Sequence, residues 1–456
     1  PARVGTPGAR ACPRRPRGPA GDAVSLPEST PPTAVAGAPD QASVRRLYSS
    51  ASWLGGSTLV NAAIGFAFWI VAARVVEPDV LGVEGAVLNV VMLLAWLCQL
   101  GMQNALTRFM PVAGAGTRSL VVRTYLASTV LALVCGLAWL AWSALRAQPL
   151  FGLPLWLTAW SAFSVLAWTI FSLQDSVLVG ARKPHLVAVE NAVYSAVKLV
   201  ALVPLAVLLP EGGLLVAWVA PVLLFVPVVN AFVFRRLLPR DGAGEGPVGG
   251  REVARFVAHD FPGGAASMLA VRLVPVLVLA QLGGRDTAYF LVAWQVLMVL
   301  ELSLSSLGLS LTVEGAGADD ATVRALVGQL LRRVLPLALA GCLALVVLAR
   351  PVLSLFGEEY AGEGTTVLRV LVATLALRVV VDAAVSVMRV RDDLRLLLLI
   401  EVVRAPVALG ACWLLAGAYG VTGAAASYGV TNIVLAVLAG LYLRGVFRAM
   451  DARATA

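Results

Sequence analysis

The sequence predicts an all-α integral membrane protein of twelve transmembrane helices, built as two parallel six-helix lobes around a central cleft. Three observations predict it. Of the 456 residues, 59% are hydrophobic and 13% charged, with a mean hydropathy of +0.86, whereas soluble domains carry about 25% charged residues. Apolar runs of the roughly 20 residues needed to cross a bilayer as a helix recur from Ser49 almost to the C-terminus. Threaded alternately, they gather the basic residues on one side, as cytoplasmic loops do.

The elements follow in order. Residues 1–43 hold nine prolines and five arginines and no apolar stretch of signal-peptide length, which predicts a disordered cytosolic tail. Spans near 51–73 and 83–105 are divided at Arg74-Val-Val-Glu-Pro78. Those near 120–145 and 154–178 are divided at Arg146 and Pro154, and Arg182-Lys183-Pro184 closes the fourth. The fifth, 186–209, and sixth, 213–235, meet at Pro210-Glu211-Gly212. The seventh, 254–282, and eighth, 287–313, are separated by Gly283-Gly284-Arg285-Asp286. The ninth, 325–349, runs into Arg350-Pro351; the tenth, 366–388, into Arg389-Val-Arg391. The last two, 394–417 and 420–443, are parted at Gly420. With the N-terminus inside, 21 basic residues fall inside and only Arg74, Arg146, Arg285, Arg350 and Arg369 outside. Both termini are then cytoplasmic in a multi-pass plasma-membrane protein.

Leu237 to Gly250 is the longest polar, glycine-rich break and divides the spans six and six. It sets a first lobe at 44–236, a cytoplasmic linker at 237–252, a second lobe at 253–448 and a C-terminal tail at 449–456. Phe151-Gly152 after the third span returns as Phe356-Gly357 after the ninth, and the turn at Gly213 returns near Gly423. Matching landmarks at similar offsets indicate a duplication, and six being even, the copies enter the membrane in the same orientation.

The excess of 35 Lys and Arg over 26 Asp and Glu is accounted for by these loops and points to membrane lipids rather than nucleic acid. Five cysteines stand singly without a CxxC pair, and His185 and His259 are the two histidines. No metal site, cofactor or catalytic centre is expected, and the outer loops are too short for the extracytoplasmic domain of a glycosyltransferase, polymerase or ligase.

Three motifs carry a family resemblance. Arg74-Val-Val-Glu-Pro78-Asp-Val-Leu-Gly82, Pro351-Val-Leu-Ser-Leu-Phe-Gly-Glu-Glu-Tyr360 with Leu368-Arg-Val-Leu371, and Gly420-Val-Thr-Gly-Ala-Ala-Ala-Ser-Tyr428 resemble turns of the polysaccharide biosynthesis flippases in the multidrug/oligosaccharidyl-lipid/polysaccharide (MOP) exporter superfamily. The resemblance runs from about Ser43 to Arg448. It implies a MATE-like fold and a flippase that moves a polyisoprenyl-diphosphate-linked oligosaccharide from the cytoplasmic to the outer leaflet. A polysaccharide polymerase or glycosyltransferases are further candidate partners. Lipid II flippases of the same superfamily typically have fourteen spans and several arginines in the first two helices, where this chain has Asn61, Asn89 and Gln99. A multidrug antiporter, coupled to Na⁺ or H⁺, favours a deep acid in the first lobe.

Charges within the spans are the candidate site, since an ionised group at mid-bilayer costs about 2.5–3.5 kcal/mol on insertion scales. Arg378 with Asp382, and Glu401 with Arg404, are spaced to neutralise each other within a helix. Arg272 and Lys198 have no acid one turn away. Arg272 has two readings, a contact to substrate diphosphate or a bridge to Glu301. Substrate contact is assigned to Arg272, Lys198, Arg378 and Arg404, and ion coupling to Glu301 and Asp382, with Glu301 flanked by Ser303, Ser305 and Ser306. Pro262-Gly263-Gly264 and Pro275 are expected to bend the Arg272 span beside a cavity. Asp175, Glu190 and Asp260 are read as interfacial, Trp53, Trp69 and Trp156 as belt residues, and Trp96, Trp139 and Trp168 as deeper packing or cleft walls.

Overall fold

A computed structural model of the chain describes residues 61–145, 150–238, 249–315 and 319–454. The N-terminal tail, Trp53, the beginning of the first span, most of the linker and the side chains of Ser305 and Ser306 lie outside the described residues. Regular structure within them is helical throughout. The helices are α1 (Asn61–Val75), α2 (Pro78–Cys98), α3 (Met102–Phe109), α4 (Thr117–Leu145), α5 (Leu155–Gly180), α6 (Pro184–Leu208), α7 (Gly213–Phe232), α8 (Gly250–Leu282), α9 (Gly284–Gly315), α10 (Asp320–Ser354), α11 (Glu358–Ala373), α12 (Arg378–Val390) and α13 (Leu394–Ala454). Ten candidate spans are long and apolar enough to cross a membrane, with α11 and α12 forming one of them and α1 standing as a shorter apolar helix beside the ten. The protein is a multi-pass membrane protein.

Several boundaries depart from the sequence expectation for local reasons. The second span starts at Pro78, not near 83, because proline in the first helical turn lacks an N–H that would have no partner there. It ends at Cys98, where Leu100 (φ 52°) and Gly101 (φ 72°) turn the chain into α3. The tenth span is broken at Thr374 and the 3₁₀ turn Leu375–Leu377, so that Arg378 opens a new helix within that apolar span. The start of α10 is fixed by Asp319, whose side chain accepts from the Thr322 amide; the Thr322 hydroxyl and amide hold this exposed carboxylate below its usual range. The α8 helix runs without interruption through Pro262 and Pro275.

Burial separates central helices from peripheral ones. In α2, 67% of the apolar window is buried, against 22% in each of α6, α8 and α10. The peripheral helices turn residues such as Leu224, Leu337, Leu343 and Leu414 outward, the surface expected where the solvent is hydrocarbon. At one end of the bundle α2 and α9 come into backbone contact: a Cβ at Gly82 would lie 1.8 Å from the Gly284 carbonyl oxygen. Arg285 N donates to Asp79 Oδ1 at 3.0 Å beside this crossing. At the other end α2 and α3 meet α8, with Trp96 stacked on Phe261 at 5.7 Å and Asn104 Nδ2 donating to Asp260 Oδ2 at 2.7 Å. Trp69, expected at a boundary, is instead buried in the core against Phe68 and Trp218.

Candidate functional site

The break before α12 delivers Arg378 into a cluster of charged side chains drawn from α9, α12 and α13, with Ser267 of α8 at its edge. Arg378 Nη2 lies 3.2 Å from Glu301 Oε1 and 3.5 Å from Asp382 Oδ1. Glu301 Oε2 also accepts from the Tyr428 hydroxyl at 3.1 Å. Arg404 Nη2 lies 3.4 Å from Glu401 Oε1, and Arg404 Nη1 donates to Ser267 Oγ at 3.2 Å. Three carboxylates therefore face two guanidiniums, and each arginine is ion-paired within the protein through its Nη2. A crevice of about 30 Å³ lined by Glu301, Arg378, Arg404, Tyr428, Asn432 and Trp294 enters the cluster, room for roughly one water. Asp382 Oδ2, Glu401 Oε2, Arg378 Nε and Arg404 Nε are buried without a hydrogen-bond partner.

Both local pairs read from the sequence are present. The expected alternative bridge from Arg272 to Glu301 is not: Glu301 is taken by Arg378, a residue 77 positions away that no helical periodicity connects to it. Arg272 Nη1 instead donates to Asn89 Oδ1 at 3.2 Å, joining α8 to α2. No carboxylate pairs with it among the described residues.

Lys198 occupies a different environment. Its ammonium lies 3.6 Å from the Trp218 ring centroid, 4.9 Å from that of Phe68 and 5.1 Å from that of Tyr194. Three π faces stabilise a cation by up to about 2 kcal/mol each when desolvated, and no carboxylate shares the box among the described residues. The box opens on a pocket of about 420 Å³ that is lined by Asn61, Trp168, Asn191, Tyr194, Ser195 and Lys198 among others. This pocket is walled entirely by residues 61–218, and the crevice at Glu301 entirely by residues 270–435. Neither is lined from both halves of the chain.

Sequence reasoning missed one buried acid and read three further acids as interfacial. Glu84 is 2% exposed; its carboxylate accepts from Gly212 N at 2.5 Å and Leu215 N at 3.0 Å, capping the start of α7. Pro78 as a helix start would have placed Glu84 nearly two turns inside the membrane. Glu190, read as interfacial, is buried and accepts from Gln174 Nε2. Asp175 accepts from Asn191 Nδ2 at 3.1 Å. Asp260, read the same way, is exposed on α8 and accepts from Asn104 Nδ2.

The family described as Polysaccharide biosynthesis protein matches residues 47–310. No curated protein matches the sequence. Among solved structures, an inward-facing multidrug resistance MATE transporter of the MOP superfamily superposes with a TM-score of 0.68 at 17% identity, over 87% of this chain and 96% of that one. A MOP superfamily transporter from Pyrococcus furiosus, described as having a binding pocket of reverse polarity, gives 0.59 at 16% identity over 88% and 93%. A Vibrio cholerae MATE transporter in its bent form gives 0.58 at 18% identity over 89% and 98%. The fold is thus MATE-like.

Proposed function

This chain belongs to the polysaccharide biosynthesis protein family, and from that premise we propose that it flips a polyisoprenyl-diphosphate-linked oligosaccharide from the cytoplasmic to the outer leaflet. The observation that carries the reading is the pair of buried cations without carboxylate partners, Arg272 on α8 and Lys198 on α6. A cation kept in a membrane interior without a protein anion is a site for a mobile one. A diphosphate supplies about two negative charges, which Arg meets with two N–H donors and Lys as a point charge. Arg378 and Arg404 join the substrate path when the carboxylates that hold them exchange partners, and Glu301 and Asp382, which hold Arg378, are the ion-coupling groups of that exchange.

In this reading the ten long spans become twelve passes, because α1 completes one crossing and α13 makes two. Passes one to six and seven to twelve form the two lobes, with both termini in the cytoplasm and the α2–α9 crossing at the outer end. The Arg272 to Asn89 contact lies on the seam between lobes, where a passing headgroup would displace Asn89. Leaflet-resolved flipping in liposomes holding a defined lipid-linked oligosaccharide tests the assignment. Losing a charge-assisted contact of about 1.5–3 kcal/mol makes Arg272→Ala roughly 10- to 100-fold slower than wild type. An undiminished rate removes Arg272 from the path.

A further inference from the structure

A second group of ionisable side chains lies apart from the Glu301 cluster, between α4, α5, α6 and α7. Asn230 Nδ2 donates to Gln174 Oε1 at 2.8 Å, and Gln174 Nε2 donates to Glu190 Oε1. Asn191 Nδ2 donates to Asp175 Oδ2 at 3.1 Å. After these bonds are made, Asp175 Oδ1, Glu190 Oε2 and Asn230 Oδ1 are buried acceptors with no donor, and the Tyr125 hydroxyl is likewise unpartnered. Glu190 is 7% exposed. Each acid is the chain neighbour of the other's hydrogen-bond partner, Asp175 beside Gln174 on α5 and Glu190 beside Asn191 on α6, so the two carboxylates lie side by side between these helices.

No Lys, Arg or His forms an ion pair with either acid among the described residues. Lys198, two turns along α6 from Glu190, directs its ammonium into the aromatic box instead. Two buried like charges, three orphan acceptors and no cation leave a deficit of positive charge, and the smallest species that corrects it is a proton.

We propose that Asp175 and Glu190 are a proton-carrying carboxyl pair, a second ion site in the first half of the molecule. One proton on Asp175 Oδ1 or Glu190 Oε2 turns an orphan acceptor into an O–H donor for a neighbouring acceptor and removes one of the two charges. Asn191 connects the pair to the Lys198 pocket, because it both donates to Asp175 and lines that pocket. As a coupling site it rests on the transport reading above; as a proton site it does not.

Infrared titration of the purified full-length protein across neutral pH, without any transported lipid, tests it. Wild type shows a protonated-carboxyl band that fades as pH rises, and Glu190→Gln and Asp175→Asn, both isosteric, each lose part of that band. Asn191→Leu strips the donor that favours ionised Asp175, so its band persists to higher pH, by about one unit. Thermal unfolding of each variant confirms that it is folded. Band changes in wild type and all three variants that superimpose overturn the proposal, as does a titration that moves when Na⁺ replaces choline, which indicates a metal-cation site. Either failure leaves the Arg272→Ala flipping result untouched.

Discussion

Charge on a residue buried in a membrane is informative in proportion to how badly the protein neutralises it. Arg378 and Arg404 lie beside Glu301, Asp382 and Glu401, so their charges are countered within the protein. Lys198 has only rings about its ammonium, those of Phe68, Tyr194 and Trp218, and the pocket on which they open.

 
Lys198→Met keeps the apolar stem and deletes the charge. The expected outcome is unchanged thermal stability with flipping slowed roughly 10-fold or more, and a wild-type rate would make Lys198 a packing group. The sequence exposed Arg272, Lys198, Glu301 and the two local pairs because an ionisable residue in an apolar run is visible one helix at a time. It could not show that Glu301 takes Arg378 rather than Arg272, since that choice depends on how α9 meets α12. Glu84 was hidden by a helix start placed five residues late, and Asp175 with Glu190 by neutral partners on other helices, which leave no periodic trace.

At the scale of helices, the α2–α9 crossing is the contact that backbone geometry restricts most severely. A Cβ on Gly82 would sit 1.8 Å from the Gly284 carbonyl oxygen, and one on Gly284 2.5 Å from the Asp79 carbonyl oxygen. Neither atom is the end of a flexible side chain, so any larger residue must move a helix. Around the crossing, Arg285 reaches Glu359 at 2.8 Å, and Arg74 Nε donates to the Leu355 carbonyl at 2.8 Å, tying α9 to α11 and the end of α1 to the end of α10. These contacts all lie at the end where α2 and α9 begin, and flipping to the outer leaflet, as proposed, requires that end to open. Gly82→Ala therefore penalises the closed arrangement by about 1–3 kcal/mol, the usual cost of overpacking. The measurable result is a lower midpoint of thermal unfolding together with faster labelling of a cysteine at Asp79, and protection equal to that of the Asp79→Cys parent would show that the crossing is not a closure point.

At the scale of the whole molecule, the length of α13 decides the number of passes. Its 61 residues would extend about 90 Å as one straight helix at 1.5 Å per residue, three times the hydrocarbon thickness of about 30 Å. The chain resolves this at Gly420, whose φ of 61° and ψ of −146° belong to a region essentially restricted to glycine. The corresponding turn in the first half, between α6 and α7, is also made by a glycine of positive φ, Gly212 at 104°. Equivalent turns made by the same backbone device at equivalent places support the duplication read from the sequence. In the proposed topology the turn at Gly420 faces outward and the end of α13 faces the cytoplasm. Tyr419 is 71% exposed beside the turn, and Ala449 is exposed near the helix end. In a cysteine-free background, Tyr419→Cys should then react with a membrane-impermeant maleimide in intact cells, and Ala449→Cys only after permeabilisation. Reaction of both from the same side would mean that α13 does not cross twice, and with it would go the even pass count, the parallel orientation of the two halves and the placing of Arg272 on a seam between them.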